Sequence, residues 1–290
     1  MLGSRFIVDS GTTLCCLLGD PVAQSPSPGM HNSGFRSINL NFIYLSFRVT
    51  EKELKNAIEG LKTLGARGFN VTIPHKETAL KYVDRIDSIS TDIGAINTVV
   101  NDDGELFGVN TDVEGFINPL KDHDIPLKSK KCLILGAGGA ARSCIAGLVH
   151  EDCTDFVILN RHPERANKMV SYLKKKIDFD VNIGMMNRSN LDKNISDSDL
   201  VVNTTPIGMY PHVGISPIPK NFLQEDLLVY DIVYKPVKTK LIEYAELAGA
   251  KVIHGYEMLV SQAAGSFSLW TGSKAPMGVM RRTALQILGV

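Results

Sequence analysis

Short apolar segments alternate with segments of helical periodicity along almost the whole chain. Apolar runs of roughly four to eight residues predict strands, and apolar residues spaced about three or four positions apart predict helices. Such an alternation is typical of a parallel sheet with helices on both faces. We therefore predict an α/β fold with strands at Leu14–Leu18, Phe42–Val49, Gly68–Thr72, Ile96–Asn101, Cys132–Leu135, Phe156–Leu159, Leu200–Asn203, Leu228–Asp231 and Lys251–Ile253.

Helices are predicted between and after these strands. One of them, Glu51–Leu64, follows Thr50 as N-cap and has Glu53 at its third position, which is typical of a capping box. The turn sequence Asn101–Gly104 predicts a hairpin that leads to a further strand at Leu106–Val109. The remaining helices are predicted at Gly29–Ile38, Ala140–Val149, Glu164–Lys175, Lys240–Ala248, Tyr256–Trp270 and Ala275–Leu288.

The polar segment 121–131 separates two series of these elements. It contains Pro126 and has no periodicity, so we interpret it as a surface connection near a domain boundary. At roughly 150 residues per domain, the length of 290 residues is typical of two domains or one large one.

Composition and charge exclude several classes of protein. The 31 basic and 31 acidic residues give zero net charge, whereas a nucleic-acid partner would need a clustered basic field. No apolar stretch approaches the roughly 18 residues of a membrane span, and the apolar run 14–18 is too short for the core of a signal peptide. We therefore expect a cytoplasmic protein with neither a nucleic-acid nor a membrane partner.

The cysteines form an odd set without a Cys-x-x-Cys motif or a histidine at ligand spacing. Such a set favours buried, reduced thiols over a zinc site or a disulfide framework, and we predict no metal. The five residues are Cys15, Cys16, Cys132, Cys144 and Cys153.

A glycine-rich turn follows the predicted strand at Cys132–Leu135 and precedes a helix. Gly136 permits a tight turn, Gly138 lets a pyrophosphate approach the backbone, and the small Ala141 lets the helix pack on the strand. The N-terminal N–H groups of that helix then receive the phosphates. A second predicted strand at the right distance favours dinucleotide binding over an ordinary strand-to-helix turn.

The end of the second strand discriminates between the two nicotinamide cofactors. An NAD site places Asp or Glu there to bind the ribose hydroxyls, but here the strand ends in Asn160 and Arg161, and Arg165 follows one turn later. A guanidinium binds a 2′-phosphate bidentately and has no use for a bare ribose. The pattern favours NADP, while a pair of ordinary surface arginines is the alternative.

A candidate proton donor lies in the segment 70–76. Pro74 predicts a helix start and places Lys76 in its first turn, where the helix dipole disfavours a cation and eases the loss of its proton. Such a lysine is suited to general acid or base catalysis. The alternative is a solvated surface lysine.

Other polar residues follow the apolar strands of the first part of the chain. Asp112 either caps the next helix or pairs with Lys76 across a cleft. Asn97 precedes an apolar strand, where a buried amide must find a partner. Ser25 and Ser27 offer two hydroxyls in a rigid loop before a helix; capping explains one of them, whereas anion binding explains both.

Taken together, these segments resemble the shikimate dehydrogenase family almost from end to end. Many oxidoreductases share the glycine turn, whereas NVTIPHK, the Asn-Thr-Asp string and the Gln-Ala…Trp-Thr-Gly ending are far more restrictive. The matching strings are SPSPGMHN (25–32), NVTIPHK (70–76), GAINTVV (94–100), GVNTDVEGF (108–116), GAGGAAR (136–142), NRHPER (160–165), NTTPIGM (203–209), DIVYKPVKTKL (231–241) and GYEMLVSQAAGSFSLWTG (255–272).

The resemblance implies reduction of 3-dehydroshikimate to shikimate with NADPH, in the chorismate route to aromatic amino acids. It also implies two domains. Residues 1–113 and 256–290 form an α/β substrate domain with a mainly parallel sheet, and residues 114–255 form an inserted Rossmann-type NADP-binding domain. The expected partner is therefore a small-molecule substrate, and a monomer and a homodimer both fit.

The resemblance also assigns residues. Lys76 and Asp112 are the implied catalytic pair. The residues implied to bind the substrate carboxylate and hydroxyls are Ser25, Ser27, Asn70, Thr72, Asn97, Tyr234 and Gln262. The residues implied to bind the cofactor are Gly136, Ala137, Gly138, Gly139, Ala140, Asn160, Arg161, His162, Arg165, Thr204, Thr205, Ile232, Gly255 and Met258.

Some positions depart from the family pattern or allow another interpretation. Gln24 stands where the family usually has His, and His162 stands where many members have Thr. Met258 is also typical of a core residue, and Tyr234 of a turn with Pro236. Two rival functions stay open: a quinate/shikimate dehydrogenase that uses NAD, and a catalytically silent NADP- or metabolite-sensing module.

Overall fold

The apolar strands of the chain build two separate six-stranded sheets. The structure, a computed structural model, describes residues 8–290. They divide into two units, one formed by the chain up to Thr111 together with Gln262–Val290, and the other by Asp112–Ser261. The predicted α/β fold is confirmed in both units.

The sheet of the first unit is mixed, with its strands in the order β2-β1-β3-β5-β6-β4. β1 runs parallel to β2 and β3, β5 runs antiparallel to β3 and β6, and β4 is parallel to β6. The strands are β1 (Thr13–Gly19), β2 (Phe42–Arg48), β3 (Gly68–Val71), β4 (Arg85–Ile86), β5 (Thr98–Asp102) and β6 (Glu105–Val109). The helices are α1 (Ser27–Ser37), α2 (Leu54–Thr63), α3 (Ser88–Ile93) and the C-terminal α10 (Met277–Leu288), with a 3-10 helix at Thr78–Tyr82.

All six strands of the second unit are parallel. They are β7 (Lys131–Leu135), β8 (Asp155–Asn160), β9 (Asp180–Met185), β10 (Leu200–Asn203), β11 (Leu228–Asp231) and β12 (Lys251–His254). The helices are α4 (Asp112–Asp122), α5 (Gly139–His150), α6 (Pro163–Leu173), α7 (Arg188–Ile195) and α8 (Lys240–Leu247), with a 3-10 helix at Lys220–Phe222. Helix α9 (Gly255–Thr271) begins in this unit, and the unit boundary falls within it.

The strand order of the second unit is β12-β11-β10-β7-β8-β9. Counted from the first strand of the unit, this is the order 3-2-1-4-5-6 of a dinucleotide-binding Rossmann fold. The order reverses between β7 and β10, and ligands of such sheets bind at the carboxyl ends of the strands beside this point.

Apolar residues cover both faces of the second sheet. Along β7, Cys132 and Ile134 belong to one buried cluster, whereas Leu133 and Leu135 belong to another. Alternate side chains of a strand point to opposite faces, so a strand that is buried on both faces must be apolar throughout. This explains why the sequence of β7 reads as a continuous apolar run.

The predicted hairpin is confirmed between β5 and β6. Asp102 and Glu105 are paired, so Asp103 and Gly104 form a two-residue turn. Both have positive φ, 48° at Asp103 and 92° at Gly104, which is the geometry that an Asp-Gly turn supplies.

Helix α2 begins three residues later than predicted, at Leu54 instead of Glu51. The Glu53 carboxylate accepts hydrogen bonds from the backbone N–H and the hydroxyl of Thr50, at 3.1 and 2.7 Å. Only half of the predicted capping box therefore forms. Because the Thr50 hydroxyl donates to Glu53, residues 51–53 form a separate turn before the helix.

Several elements were missing from the prediction, among them two strands at sheet edges. β9 is an edge strand whose residues are all half-buried or exposed, and β4 has only two residues. The segment predicted as a connection near a domain boundary starts inside α4, and all of it lies in the second unit.

The sequence also leads to expectations about membrane spans and cysteines. Within residues 8–290, every helix is too short or too polar to cross a lipid bilayer. All five cysteines are buried thiols, as predicted, and the Sγ atoms of Cys132 and Cys153 lie 3.1 Å apart.

Gly68 on β3 is a test of the packing in the first unit. A Cβ atom there would lie 2.2 Å from Nε1 of Trp270 and 2.3 Å from the carbonyl oxygen of Val99. These two atoms already share a hydrogen bond of 3.0 Å, so neither is able to move away cheaply. We predict that Gly68→Ala lowers the free energy of unfolding by about 2–3 kcal/mol in urea denaturation, because the core is overpacked.

Gly60→Ala is the matched control. Gly60 lies inside helix α2, and a Cβ atom there would meet nothing within 4 Å. Since alanine is the better helix former, this variant should gain about 0.5–1 kcal/mol. A Gly68→Ala protein as stable as the wild type would contradict the packing described above.

Candidate functional site

The glycine turn of the second unit joins β7 to helix α5. Gly136 has a φ of +109°, and a Cβ atom there would lie 2.5 Å from Oγ1 of Thr204, so only glycine fits. This confirms the predicted tight turn. Ala141 is fully buried, as the predicted packing of helix on strand requires.

The start of α5 is open to a ligand. Gly138 is its N-cap and contributes no side chain, and a Cβ atom at Gly138 or Gly139 would meet nothing within 4 Å. The first N–H groups of a helix lack intrahelical partners, and the helix dipole adds positive potential there. This backbone, with Ala137 and Ala140, therefore has the shape and charge that a phosphate group requires.

Two threonines follow β10, the strand next to β7. The backbone N–H and the hydroxyl of Thr204 donate to the carbonyl of Leu135 at 2.8 and 2.7 Å. The backbone N–H and the hydroxyl of Thr205 donate to Oδ1 of Asn203 at 3.1 and 2.7 Å. These bonds fix the loop after β10 at the point where the strand order reverses.

The end of β8 carries a basic group. Nδ2 of Asn160 donates to the carbonyl of His162 at 2.8 Å, which shapes the turn into α6. Arg161, His162 and Arg165 are exposed, and Nδ1 of His162 lies 3.5 Å from Glu164. Two guanidiniums at the end of the second Rossmann strand suit a ribose 2′-phosphate better than a ribose hydroxyl.

The loop after β11 and the start of α9 approach each other closely. A Cβ atom at Gly255 would lie 2.5 Å from the carbonyl group of Ile232 and from the carbonyl oxygen of Val233. Met258 belongs to the apolar core of the second unit. Tyr234 is half-buried on the loop, where burial raises the pKa of its hydroxyl, and it belongs to the second unit.

In the first unit, the two predicted serines lie together. The Ser25 hydroxyl donates to Oγ of Ser27 at 3.1 Å. Ser27 is the first residue of α1, which therefore begins two residues earlier than predicted, and Pro28 supports this start. The pair offers two hydroxyls at the N-terminus of an 11-residue helix, a favourable place for an anion.

Asn70 is buried at the end region of β3, and its amide is held on both sides. Its Oδ1 accepts a hydrogen bond of 2.7 Å from the Tyr44 hydroxyl. Its Nδ2 lies 2.9 Å from Oγ1 of Thr98 and 3.0 Å from both Oγ of Ser266 and the carbonyl oxygen of Asn97. The orientation of this amide is therefore fixed by the protein.

Asn97 is held in the same way. Its Oδ1 accepts from the N–H of Thr111 at 2.8 Å, from the hydroxyl of Thr111 at 3.1 Å and from that of Thr98 at 2.9 Å. The hydroxyls of Thr98, Thr111 and Ser266 lie 2.8–3.2 Å from one another. We call Asn70, Asn97 and these three residues the amide–hydroxyl cluster. It brings two predicted substrate residues together.

Lys76 does not lie in the first turn of an α-helix, which corrects the prediction. It is half-buried in a turn and precedes the five-residue 3-10 helix at Thr78–Tyr82. Its carbonyl accepts from the backbone N–H of Ile96 at 2.9 Å, a residue 20 positions away in the chain. The helix-dipole argument for its proton therefore does not apply.

The other predicted residues lie on well-defined backbone. Asp112 is buried as the first residue of α4, in the second unit. Thr72 donates its backbone N–H to the carbonyl of Leu18, and the carbonyl of Gln262 accepts from the Ser266 hydroxyl at 3.3 Å. Among residues 8–290, no group of His, Cys, Asp or Glu is arranged to hold a metal ion.

Sequence reasoning overlooked several polar residues. Thr98, Thr111, Ser266, Asn203 and Asp231 all lie in the strings that carry the resemblance, but none was assigned a role. One signal was available, since Ser266 follows Gln262 by four residues and so lies on the same face of a helix. Tyr44 gave no signal, because its partner is 26 residues away in the chain.

The sheet order and the glycine turn together define a class of protein. A parallel sheet in the order 3-2-1-4-5-6 with a glycine turn after its first strand is typical of dinucleotide-binding oxidoreductases, and a second α/β unit accompanies it here.

Comparison with known proteins identifies the family. Residues 17–99 match the family described as shikimate dehydrogenase substrate binding domain, residues 120–210 match shikimate / quinate 5-dehydrogenase, and residues 255–285 match the shikimate 5′-dehydrogenase C-terminal domain. The shikimate dehydrogenase (NADP(+)) of Nitrosopumilus maritimus (strain SCM1) is 42% identical over 93% of this chain and 97% of its own. The chain belongs to the shikimate dehydrogenase family.

Solved structures support the same family assignment. Shikimate 5-dehydrogenase from Listeria monocytogenes, in complex with shikimate and NAD, is 35% identical, with a TM-score of 0.89 over 95% of this chain and 97% of its own. A shikimate dehydrogenase in complex with NADP+ is 36% identical, with a TM-score of 0.88 over 100% of both chains. The expected family and the expected combination of folds are therefore confirmed.

Tyr44→Phe tests the amide–hydroxyl cluster. The substitution keeps the ring but removes the donor to Oδ1 of Asn70, which leaves a buried acceptor unsatisfied. We predict a loss of about 1–3 kcal/mol in the free energy of unfolding.

The matched control is Tyr230→Phe. The Tyr230 hydroxyl is buried and has no hydrogen-bond partner among the described residues. Its removal should leave the stability unchanged or raise it by about 1 kcal/mol. Equal losses for both variants in chemical denaturation would mean that the Tyr44–Asn70 bond contributes nothing specific.

Proposed function

We propose that this protein reduces 3-dehydroshikimate to shikimate with NADPH, a step of the chorismate route to aromatic amino acids. One observation carries the proposal: the chain combines the 3-2-1-4-5-6 sheet and its open glycine turn with 42% identity to an NADP-dependent shikimate dehydrogenase over nearly its whole length. The direct test is NADPH consumption by the purified protein with 3-dehydroshikimate, and the absence of turnover would contradict it.

We assign the two halves of this reaction to different parts of the chain. Residues 1–113 and 256–290 form the substrate domain in this proposal, and residues 114–255 form the NADP-binding domain. The resemblance of residues 17–99 to a substrate-binding domain supports the first assignment. The parallel sheet within residues 131–254 supports the second.

The open backbone after β7 fits the pyrophosphate of NADP(H), because no side chain fills that space. The exposed guanidiniums of Arg161 and Arg165 fit the 2′-phosphate. When bound, NADPH supplies the hydride that reduces the substrate ketone. The residues that would hold it are Gly136, Ala137, Gly138, Gly139, Ala140, Asn160, Arg161, His162, Arg165, Thr204, Thr205, Ile232, Gly255 and Met258.

We propose that the substrate is recognised by neutral donors and acceptors. Ser25 and Ser27, helped by Tyr234, bind its carboxylate, and the helix N-terminus at Ser27 favours that negative charge. Asn70, Thr72, Asn97 and Gln262 serve its hydroxyls. Because the amides of Asn70 and Asn97 are already fixed by the protein, they meet a ligand in one orientation. An analogue that lacks a hydroxyl would lose these directed hydrogen bonds and should bind more weakly.

Lys76 and Asp112 are the proposed catalytic residues. Hydride transfer to a ketone carbon builds negative charge on the ketone oxygen, and a positioned acid stabilises it by donating a proton. We assign the donation to the Lys76 ammonium, with Asp112 as its acidic counterpart. The half-buried position of Lys76 and its main-chain bond to Ile96 support a fixed backbone from which this side chain extends.

We also propose that the protein works in the cytoplasm, as a monomer or a homodimer. Five buried thiols are typical of a protein that stays in a reducing compartment.

Lys76→Ala should lower kcat by about 10²–10⁴-fold with little change in KM, because the loss falls on the transition state. Lys81→Ala is the control, since Lys81 is an exposed lysine on the 3-10 helix nearby. Steady-state rates with NADPH and 3-dehydroshikimate decide the outcome. A near-wild-type kcat would remove Lys76 from the chemistry.

Arg161→Ala and Arg165→Ala should each weaken NADP+ binding by about tenfold or more, since each removes a charge-assisted bond to the 2′-phosphate. NAD+ binding should not change, because NAD+ lacks that phosphate. Lys168→Ala, an exposed cation on the same helix, controls for general electrostatics. Calorimetric titration with both cofactors measures the difference, and equal losses for NAD+ and NADP+ would refute the clamp.

A quinate/shikimate dehydrogenase that uses NAD is the second candidate. The match of residues 120–210 to the shikimate / quinate 5-dehydrogenase family favours it, whereas the arginines after β8 count against it. Oxidation rates of shikimate and quinate with NADP+ and with NAD+, measured side by side, separate the two functions.

A further inference from the structure

Asp231 is a buried carboxylate that the proposed reaction does not use. It is the last residue of β11, and its neighbours in register are Asn203, the last residue of β10, and His254, the last residue of β12. These three residues therefore mark the carboxyl ends of neighbouring strands. Asp231 itself has no exposed surface, so it does not touch a ligand directly.

The carboxylate gathers three segments of the second unit. Its Oδ1 accepts from Nδ2 of Asn203 at 2.9 Å and from the backbone N–H of Val233 at 3.1 Å. Its Oδ2 accepts from the Thr239 hydroxyl at 2.6 Å, and that hydroxyl also caps helix α8 through the N–H of Ile242. The loops after β10 and β11 and the start of α8 thus share one anchor.

Asn203 extends this anchor to the loop after β10. Its Nδ2 also donates to the carbonyl of Ile207, and its Oδ1 accepts both hydrogen bonds from Thr205. Its carbonyl accepts from the N–H of Ile232, which begins the loop after β11. Thr205 and Ile232, two proposed cofactor residues, are therefore each two hydrogen bonds from the Asp231 carboxylate, by way of Asn203.

The surroundings of Asp231 disfavour its charge. Burial raises the pKa of Asp231 to about 6, although its hydrogen bonds and the charge of His254 act in the opposite direction. Between about pH 4 and pH 6, Asp231 therefore keeps its proton in the folded state but loses it in the unfolded state. At neutral pH the ionised carboxylate is therefore less favourable to the folded state than its protonated form.

We propose that Asp231 is a positioning residue for the cofactor: its carboxylate fixes the loops after β10 and β11 and thereby sets the affinity for NADP(H). This inference rests on the proposed cofactor-binding function. It assigns Asp231 no contact with the cofactor and no proton transfer.

The test measures NADP+ binding by calorimetric titration, together with thermal unfolding, for Asp231→Ala and Asp231→Asn. The alanine variant loses all three bonds, so its Kd for NADP+ should rise by about tenfold. Asparagine keeps an oxygen for Val233 and an amide that is able to donate to Thr239, so its Kd should stay within about threefold of the wild type. A purely structural role would lower the Tm without this pattern in Kd.

Asp199→Ala is the matched control. Asp199 lies just before β10, at the opposite end of that strand, and accepts from Nζ of Lys130 at 2.7 Å and from the N–H of Lys131 at 2.9 Å. It is a carboxylate in the same unit that also holds a side chain and a backbone N–H. Its removal should lower the Tm and leave the Kd for NADP+ unchanged.

A second pair of variants covers the case in which Asp231→Ala does not fold. Thr239→Val removes the donor to Oδ2 while it keeps the shape, and Thr239→Ser restores the donor. The valine variant should raise the Kd by about threefold and the serine variant should not. Wild-type Kd values in folded Asp231→Ala, or in Thr239→Val when the alanine variant is unfolded, would overturn the inference. Failure of the wild-type protein to bind NADP+ would instead refute the proposed function.

Discussion

The constraint on which this structure depends is the burial of a parallel sheet on both faces. In the second unit, apolar side chains fill both sides of β7, so residues 132–135 of that strand are all apolar. Polar side chains are then collected where strands end, and Asn160, Asn203, Asp231 and His254 all occupy that position. Chemistry at one edge of the sheet is thus a consequence of how the core is built.

The first unit satisfies the same constraint differently. Its amide–hydroxyl cluster is buried, and the side chains of the five members hydrogen-bond to one another. A buried polar group without a partner costs free energy, so a complete cluster fixes the orientation of each member. Side chains that are already oriented lose little freedom when a ligand binds, which suits them to recognise a small polyhydroxylated acid.

The sequence predicted more of the cofactor half than of the substrate half. Gly136, Ala141 and the arginines after β8 act through local rules: a positive φ, a small side chain at a packing contact, and a charge at a strand end. The surroundings of Asn70 escaped prediction, because Tyr44 and Ser266 reach it from positions 26 and 196 residues away. Periodicity carries no information about such contacts.

Local patterns also misplaced some elements. Helix α2 begins later than predicted because the Thr50 hydroxyl donates to the Glu53 carboxylate and does not cap the helix. Lys76 lies in a turn instead of the predicted helix, and its carbonyl accepts from Ile96, a contact that only the folded chain supplies.

The amino-acid sequence by itself determined the α/β class and the glycine turn after β7, since spacing along the chain encodes them, and the charges after β8 predict an NADP site. Only the tertiary structure decided which polar atoms meet. A hydrogen bond such as that between Asp231 and Thr239 depends on strand order and register, and these are set by the packing of the whole sheet.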